Sequence, residues 1–284
     1  MEYITSTPPR HLSWFSRAVI LFSGFYTQFG WTFIGFGMIF VWVFVGNSEL
    51  VYLLTPRMDK SVTGQVISLG ITASVQNDQV IREVGYTYQV NGHLYEGKSY
   101  TPDYRVEEGD SVKVYYLSRN PRVSRLSMAG RALFSAWMGF LLVFPLVGLG
   151  FAIYGFRQNM KAIDLLINGK FAPGVLTSKK PTNTMINKQV VYAYTFDFEA
   201  DDGQVYTAST ATHETWLVED QREELIVYAP ADPAYAVVFD AVPGSPGLSS
   251  SGELKQVPWT GVVSLILPAV TLLVHGGVFW IFFR

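Results

Sequence analysis

A chain of 284 residues with no cysteine, 15% charged residues and a formal net charge of −2 excludes a disulfide-stapled module, a thiolate enzyme, an iron–sulfur protein and a strongly basic nucleic-acid binder. Soluble domains carry about 25% charged residues, and the shortfall here is local. No Asp, Glu, Lys or Arg occurs in residues 18–48, 132–156 or 256–283, and each run is long enough to cross a hydrocarbon layer of about 30 Å.

In chain order, residues 1–17 are polar and proline-containing and read as an interfacial segment, with Trp14 and Phe15 suited to headgroup level. Arg10 and Arg17 precede the first apolar run as in a cleavable leader. The run far exceeds an h-region of about 7–15 residues, however, so it is expected to persist as a mature span. Tyr26-Thr27-Gln28 interrupts it with polar groups, and two placements follow. One is a single tilted span over Val19–Val45 within a first transmembrane helix of residues 18–48. The other is an interfacial stretch Trp14–Phe25 followed by a shorter span from Phe29. The first uses the whole run and is the expectation taken forward.

Residues 49–130 read as a β domain. Val84–Val90 alternates up to Asn91-Gly92, the dipeptide of a type I′ hairpin turn, and His93–Tyr100 returns. Ser111–Leu117 then places Val112, Val114 and Tyr116 on one face, before Asn120-Pro121 and a short edge segment Arg122–Leu126. A second transmembrane helix occupies 131–156. An amphipathic helix follows over 157–170, with Met160, Ile163, Leu166 and Ile167 at helical spacing and Asn168-Gly169 as its cap. Residues 171–242 form a second β domain, 243–257 a flexible Pro/Gly/Ser linker and 258–283 a third transmembrane helix with Trp259 and Trp280 near its ends.

The two β segments repeat one another. Gly174–Ser178 answers Gly64–Ser68, Tyr194–Phe198 answers Tyr86–Val90, Asp201-Asp-Gly203 replaces Asn91-Gly92, and Val218–Tyr228 matches Val106–Tyr116 without a gap. Gln221 stands where Gly109 stood, which predicts a different turn. The expected fold class is therefore an integral membrane α + β protein, with three transmembrane helices carrying two duplicated small all-β domains, barrel-like or sandwich. One span separates the repeats, so they are expected on opposite faces of the membrane; Lys and Arg are shared almost evenly between the sides, and the positive-inside rule is silent.

The pattern Gly-x-Val, Tyr-x-Tyr-x-Val, Asn-Gly and Glu-Gly-Asp-x-Val-x-Val-Tyr-Tyr ending in Asn-Pro resembles an uncharacterised family of bacterial membrane proteins known only as a domain of unknown function. The likeness covers Gly64–Leu126 well and Gly174–Val242 less well. It implies location in the bacterial cytoplasmic (inner) membrane and supplies no active-site residues.

The chain shows no chemistry-bearing motif. His11, His93, His213 and His275 lack metal-ligand spacing, the adjacent pairs Glu107-Glu108 and Glu223-Glu224 point to opposite faces of a strand, and neither a nucleophile elbow nor a phosphate loop occurs. No catalytic residue, metal or cofactor is expected, and no nucleic acid. What stands out is physical: Gly148, Ala152 and Gly155 as a small-residue helix-packing face, Gln28 and His275 as intramembrane polar groups, and Arg119, Arg122, Arg125 and Arg131 as an interfacial basic cluster. The expected function is a non-catalytic membrane scaffold or assembly component whose β domains bind other proteins. Its expected partners are membrane lipids and other membrane proteins or a homo-oligomer. The alternative is an oligomeric small-solute transporter or channel subunit, for which Gln28 and His275 are the candidate polar groups.

Overall fold

The computed structural model describes residues 6–52, 57–76, 78–103, 105–127, 129–219, 223–244 and 246–283; Gln221 lies outside them. The chain forms two compact units, residues 36–145 and residues 1–35 with 146–284. Each carries one five-stranded antiparallel sheet. Three helical stretches, Phe25–Val45, Ala136–Asn168 and Trp259–Ile281, are long and apolar enough to cross a membrane.

The first apolar run is not one helix. Helix α1, Trp14–Phe22, is capped by Ser13, whose hydroxyl accepts from the Ser16 N–H, and it stops at Ser23-Gly24. Gly24 takes a φ of +85°, a left-handed value that costs glycine little and other residues much. Helix α2, Phe25–Phe40, then starts afresh and runs into a π-helical turn over Val41–Val45. The single span expected from Val19 is thus corrected to a short helix followed by an apolar span from Phe25. The reason lies in packing, because Val19 and Ile20 are fully buried with Leu165, Leu166, Val227 and Phe239. The apolarity of α1 serves a protein core.

Two further boundaries are corrected. Helix α3, Val143–Asn168, entered through a 3-10 turn at Ala136–Leu142, passes Arg157 without a break. The expected span 131–156 and amphipathic helix 157–170 therefore share one helix, because Asn159, Ala162, Leu165 and Leu166 continue its buried face. The expected linker 243–257 is packed: Leu254 and Val257 enter the same core as α1, Leu248 bridges Leu254, and the Val257 N–H donates to Ser16 Oγ at 3.0 Å. Single apolar residues scattered among Ser and Gly hide this role in the sequence. Helix α4, Val263–Phe283, follows.

In the unit of residues 36–145, strands β1 (Lys60–Gln76), β2 (Gln79–Val90), β3 (His93–Thr101), β4 (Ser111–Leu117) and β5 (Asn120–Leu126) pair in the order β3-β2-β1-β4-β5. Asn91 and Gly92 turn the β2–β3 hairpin with φ of 52° and 81°, the positive values a type I′ turn requires. The sheet curls until its edges meet. Tyr100 and Gly130 exchange backbone bonds at 3.0 and 2.9 Å, and the Leu126 N–H donates to Ser99 Oγ at 3.0 Å. The chain entering and leaving this sheet is strapped together by Glu49, whose carboxylate accepts from the N–H groups of Arg131 and Ala132.

The second sheet repeats the first. Strands β6 (Lys170–Ile186), β7 (Gln189–Glu199), β8 (Val205–Thr212), β9 (Glu224–Ala229) and β10 (Asp232–Val238) pair in the order β10-β9-β6-β7-β8, the same topology. Register agrees pair for pair: Gly64↔Tyr88 recurs as Gly174↔Phe198 and Gln76↔Gln79 as Ile186↔Gln189, each partner displaced by 110 residues. Even the two irregularities coincide, after Val66 and Ile71 in one hairpin and after Leu176 and Pro181 in the other. This register corrects one expected match: Tyr86 corresponds to Phe196 and not to Tyr194, because the glycine of the first strand sets the alignment and the tyrosines do not. The seam between the edges also differs. The positions of Tyr100 and Gly130 fall to Ala211 and Val242, and the Val242 N–H bonds back to Phe239 O instead. The second seam stays open at that end.

The two cores exchange matched parts. Tyr86 bonds Ser124 at 3.0 Å over Gly97, where an added Cβ would lie 2.6 Å from the Tyr86 hydroxyl and 2.7 Å from Ser124 Oγ. The second copy has Phe196, Ala236 and Ala208 at these places, so the loss of two hydroxyls makes room for one methyl. Gly97→Ala alone is expected to cost about 1–3 kcal/mol by overpacking. The triple variant Tyr86→Phe, Gly97→Ala, Ser124→Ala should recover most of that cost, a departure from additivity that thermal unfolding can read. A triple variant no more stable than Gly97→Ala would show that the two triads are not interchangeable.

Candidate functional site

Within the unit of residues 1–35 and 146–284, α2 and α3 cross at backbone contact. A Cβ added at Gly148 would lie 2.7 Å from both Gly30 O and Ile34 N, and one added at Gly30 would lie 2.5 Å from Ala152 N. Gly155 meets the Thr27 backbone in the same way. Gly148, Ala152 and Gly155 therefore line one close crossing, in which side chains of no size let the two backbones approach.

The polar groups inside the apolar helices close on backbone carbonyls. Gln28 Nε2 donates to Phe22 O at 2.6 Å and to Ser264 O at 2.7 Å. Asn159, only 5% exposed, donates to Leu21 O, Ser23 O and Thr27 Oγ1 at 3.0, 2.9 and 3.3 Å. The carbonyls of Leu21, Phe22 and Ser23 belong to the end of α1, where helix termination leaves acceptors without intrahelical donors, and that of Ser264 belongs to α4. The break at Gly24 and the two amides thus form one arrangement. His275 Nε2 donates to Gly35 O at 3.0 Å. Gln28 and His275 join helices to one another; Asn159, the residue that completes the break, was readable in sequence only as part of an amphipathic helix.

The four arginines of the basic cluster divide. Arg119, Arg122 and Arg125 are exposed at the β4–β5 turn and on β5, with Arg125 5.9 Å and Lys113 5.2 Å from the Tyr115 ring centre. Arg131 sits apart, over the Tyr52 ring at 4.0 Å. A further arginine has a role that charge counting missed. Arg10, 6% exposed, donates to Leu166 O at 3.2 Å and Gly169 O at 2.7 Å at the C-terminus of α3, and it lies 4.2 Å over the Phe171 ring. Burial pulls its pKa down to about 10, so it stays charged at neutral pH and complements the negative helix end.

A feature absent from the expectations is a pair of matching hairpin arms. Beyond the second irregularity, β1–β2 and β6–β7 each continue to a narrow tip. Thr72 Oγ1 donates to Ile81 O at 2.6 Å and accepts from Ser74 N, and Thr182 Oγ1 donates to Val191 O at 2.8 Å and accepts from Thr184 N. Asp78 has a φ of 62°, and Asn187 and Lys188 have 49° and 66°, as tight two-residue turns require. The arms carry exposed apolar side chains, Ile71 at 84% and Val75 at 61% on the first and Met185 at 62% on the second. The signal was in the sequence as Thr-x-Ser/Thr followed by Asn-x-Gln-Val, repeated at the same spacing. Among the described residues, no group of three or more His, Asp or Glu side chains is placed to hold a metal.

No protein-family model matches the chain. No curated protein matches it either. A solved structure titled "Structure and Conformational Change of a Replication Protein A Heterotrimer Bound to ssDNA" aligns at 6% identity over 73% of this chain and 57% of that chain, with a TM-score of 0.17. At that score the alignment carries no argument about fold or ligand.

Proposed function

We propose that the protein is an integral membrane scaffold, a non-catalytic assembly component of the bacterial cytoplasmic membrane whose two β domains dock other proteins through their hairpin arms. The observation that carries this reading is the closure of the intramembrane polar groups on backbone carbonyls. A solute path needs polar groups that face the solute, whereas Gln28, Asn159 and His275 spend their donors on Phe22, Ser264, Leu21, Ser23 and Gly35. Exposed apolar side chains on paired, edge-bearing hairpins supply the complementary feature, since such ribbons offer both main-chain and side-chain contacts to a partner.

Cross-linking in native membranes followed by purification tests it. The expected result is a defined stoichiometric assembly that is lost in Ile71→Asp/Val75→Asp or in Met185→Asp, with melting temperatures unchanged. Purification as a ring around a polar pore, with solute flux abolished by Gln28→Leu or His275→Leu, would replace the scaffold by the transporter.

A further inference from the structure

We propose that the unit of residues 1–35 and 146–284 binds a single membrane lipid with an uncharged, hydroxyl-bearing headgroup, in a cleft at the open end of its β seam. The proposal rests on the reading of the apolar helices as membrane-embedded. Where Tyr100 and Gly130 zip the first sheet, the corresponding Ala211 and Val242 line a cleft of about 480 Å³. Its size falls in the range of roughly 300–1,000 Å³ found for small-molecule sites. The cleft reaches from edge strand β8 to the helix break at Ser23-Gly24 and to Tyr154 and Gln158 on α3.

Three observations select the occupant. The first is a backbone donor that lacks the side-chain partner of its counterpart. The Phe239 N–H bonds Leu225 O, so in the alternating antiparallel ladder the next N–H, that of Val238, points away from β9 and into the seam. In the first copy the corresponding Leu126 N–H is taken by Ser99 Oγ. Among the described residues no such bond joins Val238, which is 2% exposed, to Thr210. A donor released from that side-chain partner at the mouth of a cleft is placed to meet an oxygen acceptor from a ligand.

The second is charge. Ser209 and Thr210 offer hydroxyl groups and Gln158, whose Nε2 donates to the Tyr154 hydroxyl at 2.9 Å, offers an amide oxygen, while among the described residues no Lys, Arg, His, Asp or Glu lines the cleft. A phosphate headgroup would find no counter-charge there, and a glycerol or sugar hydroxyl would find donors and acceptors. The third is continuity. Tyr26 and Tyr154, in edge-to-face contact at 4.8 Å, also border a groove of about 380 Å³ formed with Val147, Gly150 and Phe151. An added Cβ at Gly150 would meet nothing within 4 Å. The charge-free stretch of α3 ends at Arg157, so the polar cleft and the apolar groove lie on either side of the expected hydrocarbon boundary. That is the layout of a headgroup and its acyl chain.

The full chain is reconstituted in phosphatidylethanolamine nanodiscs with a trace of photoactivatable diazirine diacylglycerol, irradiated and mapped by mass spectrometry. Label concentrated in residues 147–158 and 209–211 is expected, displaced by unlabelled diacylglycerol and about tenfold weaker in Gly150→Trp, whose Cβ would stand in open space and whose ring would occupy the groove. Thr210→Val should weaken it while leaving the melting temperature unchanged. Label spread evenly over the three apolar helices, or equal enrichment of a diazirine phosphatidylglycerol at the same residues, would overturn the proposal. Carbonate extraction separates the failures: a protein retained in the membrane but evenly labelled loses the lipid site alone, and a protein released into the soluble fraction loses the membrane reading with it.

Discussion

Gly148→Leu is expected to abolish the native helix crossing, at a cost of about 3 kcal/mol or more, the upper end of what overpacking does to a closed core. The atoms in the way are Gly30 O and Ile34 N, backbone atoms of α2 that no rotamer change can move. Gly150→Leu, two residues on, is the internal control. It faces open space, so equal loss of side-chain entropy and equal added bulk should leave the fold intact. Size-exclusion profiles and melting temperatures in detergent would read the contrast. If the two variants behaved alike, the crossing of α2 and α3 would not be the close contact described above.

The second large effect is expected at Arg10. Arg10→Met keeps the apolar stem over Phe171 and removes the donors to Leu166 O and Gly169 O, so about 2–4 kcal/mol should be lost through carbonyls left buried without partners. Arg10→Lys retains a charge but not the fork of donors, and should fall between the two. Limited proteolysis provides a second readout, because the segment around Arg10 is also tied by its backbone N–H to Ile167 O at 2.8 Å. An unchanged melting temperature in Arg10→Met would show that the helix end is satisfied by other means.

Much of the architecture was legible because it depends on short-range pattern. Charge-free runs marked the apolar helices, Asn91-Gly92 marked its hairpin, and the repeat of strands followed from tyrosines, glycines and a proline in register. What could not be read depends on residues far apart in the chain. Gly24 breaks the first run because Pro243 crowds it and Asn159 holds the carbonyls beside it, and neither partner leaves a local mark. Leu254 and Val257 look like chance apolar residues in a linker until the core they enter is known. The alignment of Tyr194 with Tyr86 erred because side-chain identity was given weight over the glycine at which β1 meets β2 and β4. The second hairpin arm escaped notice because residues 179–184, Lys-Lys-Pro-Thr-Asn-Thr, are polar and lack the alternation by which strands are usually found. Gln28 and His275 stood out in the sequence as polar groups in apolar runs, but that alone did not say that carbonyls of neighbouring helices would accept from them.

The contact of Arg10 with Gly169, 159 positions further along, imposes an order on biogenesis. A ribosome adding roughly 5–20 residues per second needs on the order of ten seconds or more to make the acceptors after the donor has emerged. All of residues 36–145 are translated inside that interval, and their sheet closes through partners it already contains, Tyr100 with Gly130 and Ser99 with Leu126. The unit of residues 1–35 and 146–284 must wait for its own second half. The segment around Arg10 is thus made before residues 36–145 and seated after them, and whatever shields Val19 and Ile20 from non-native contacts during that delay is part of how this protein reaches its fold.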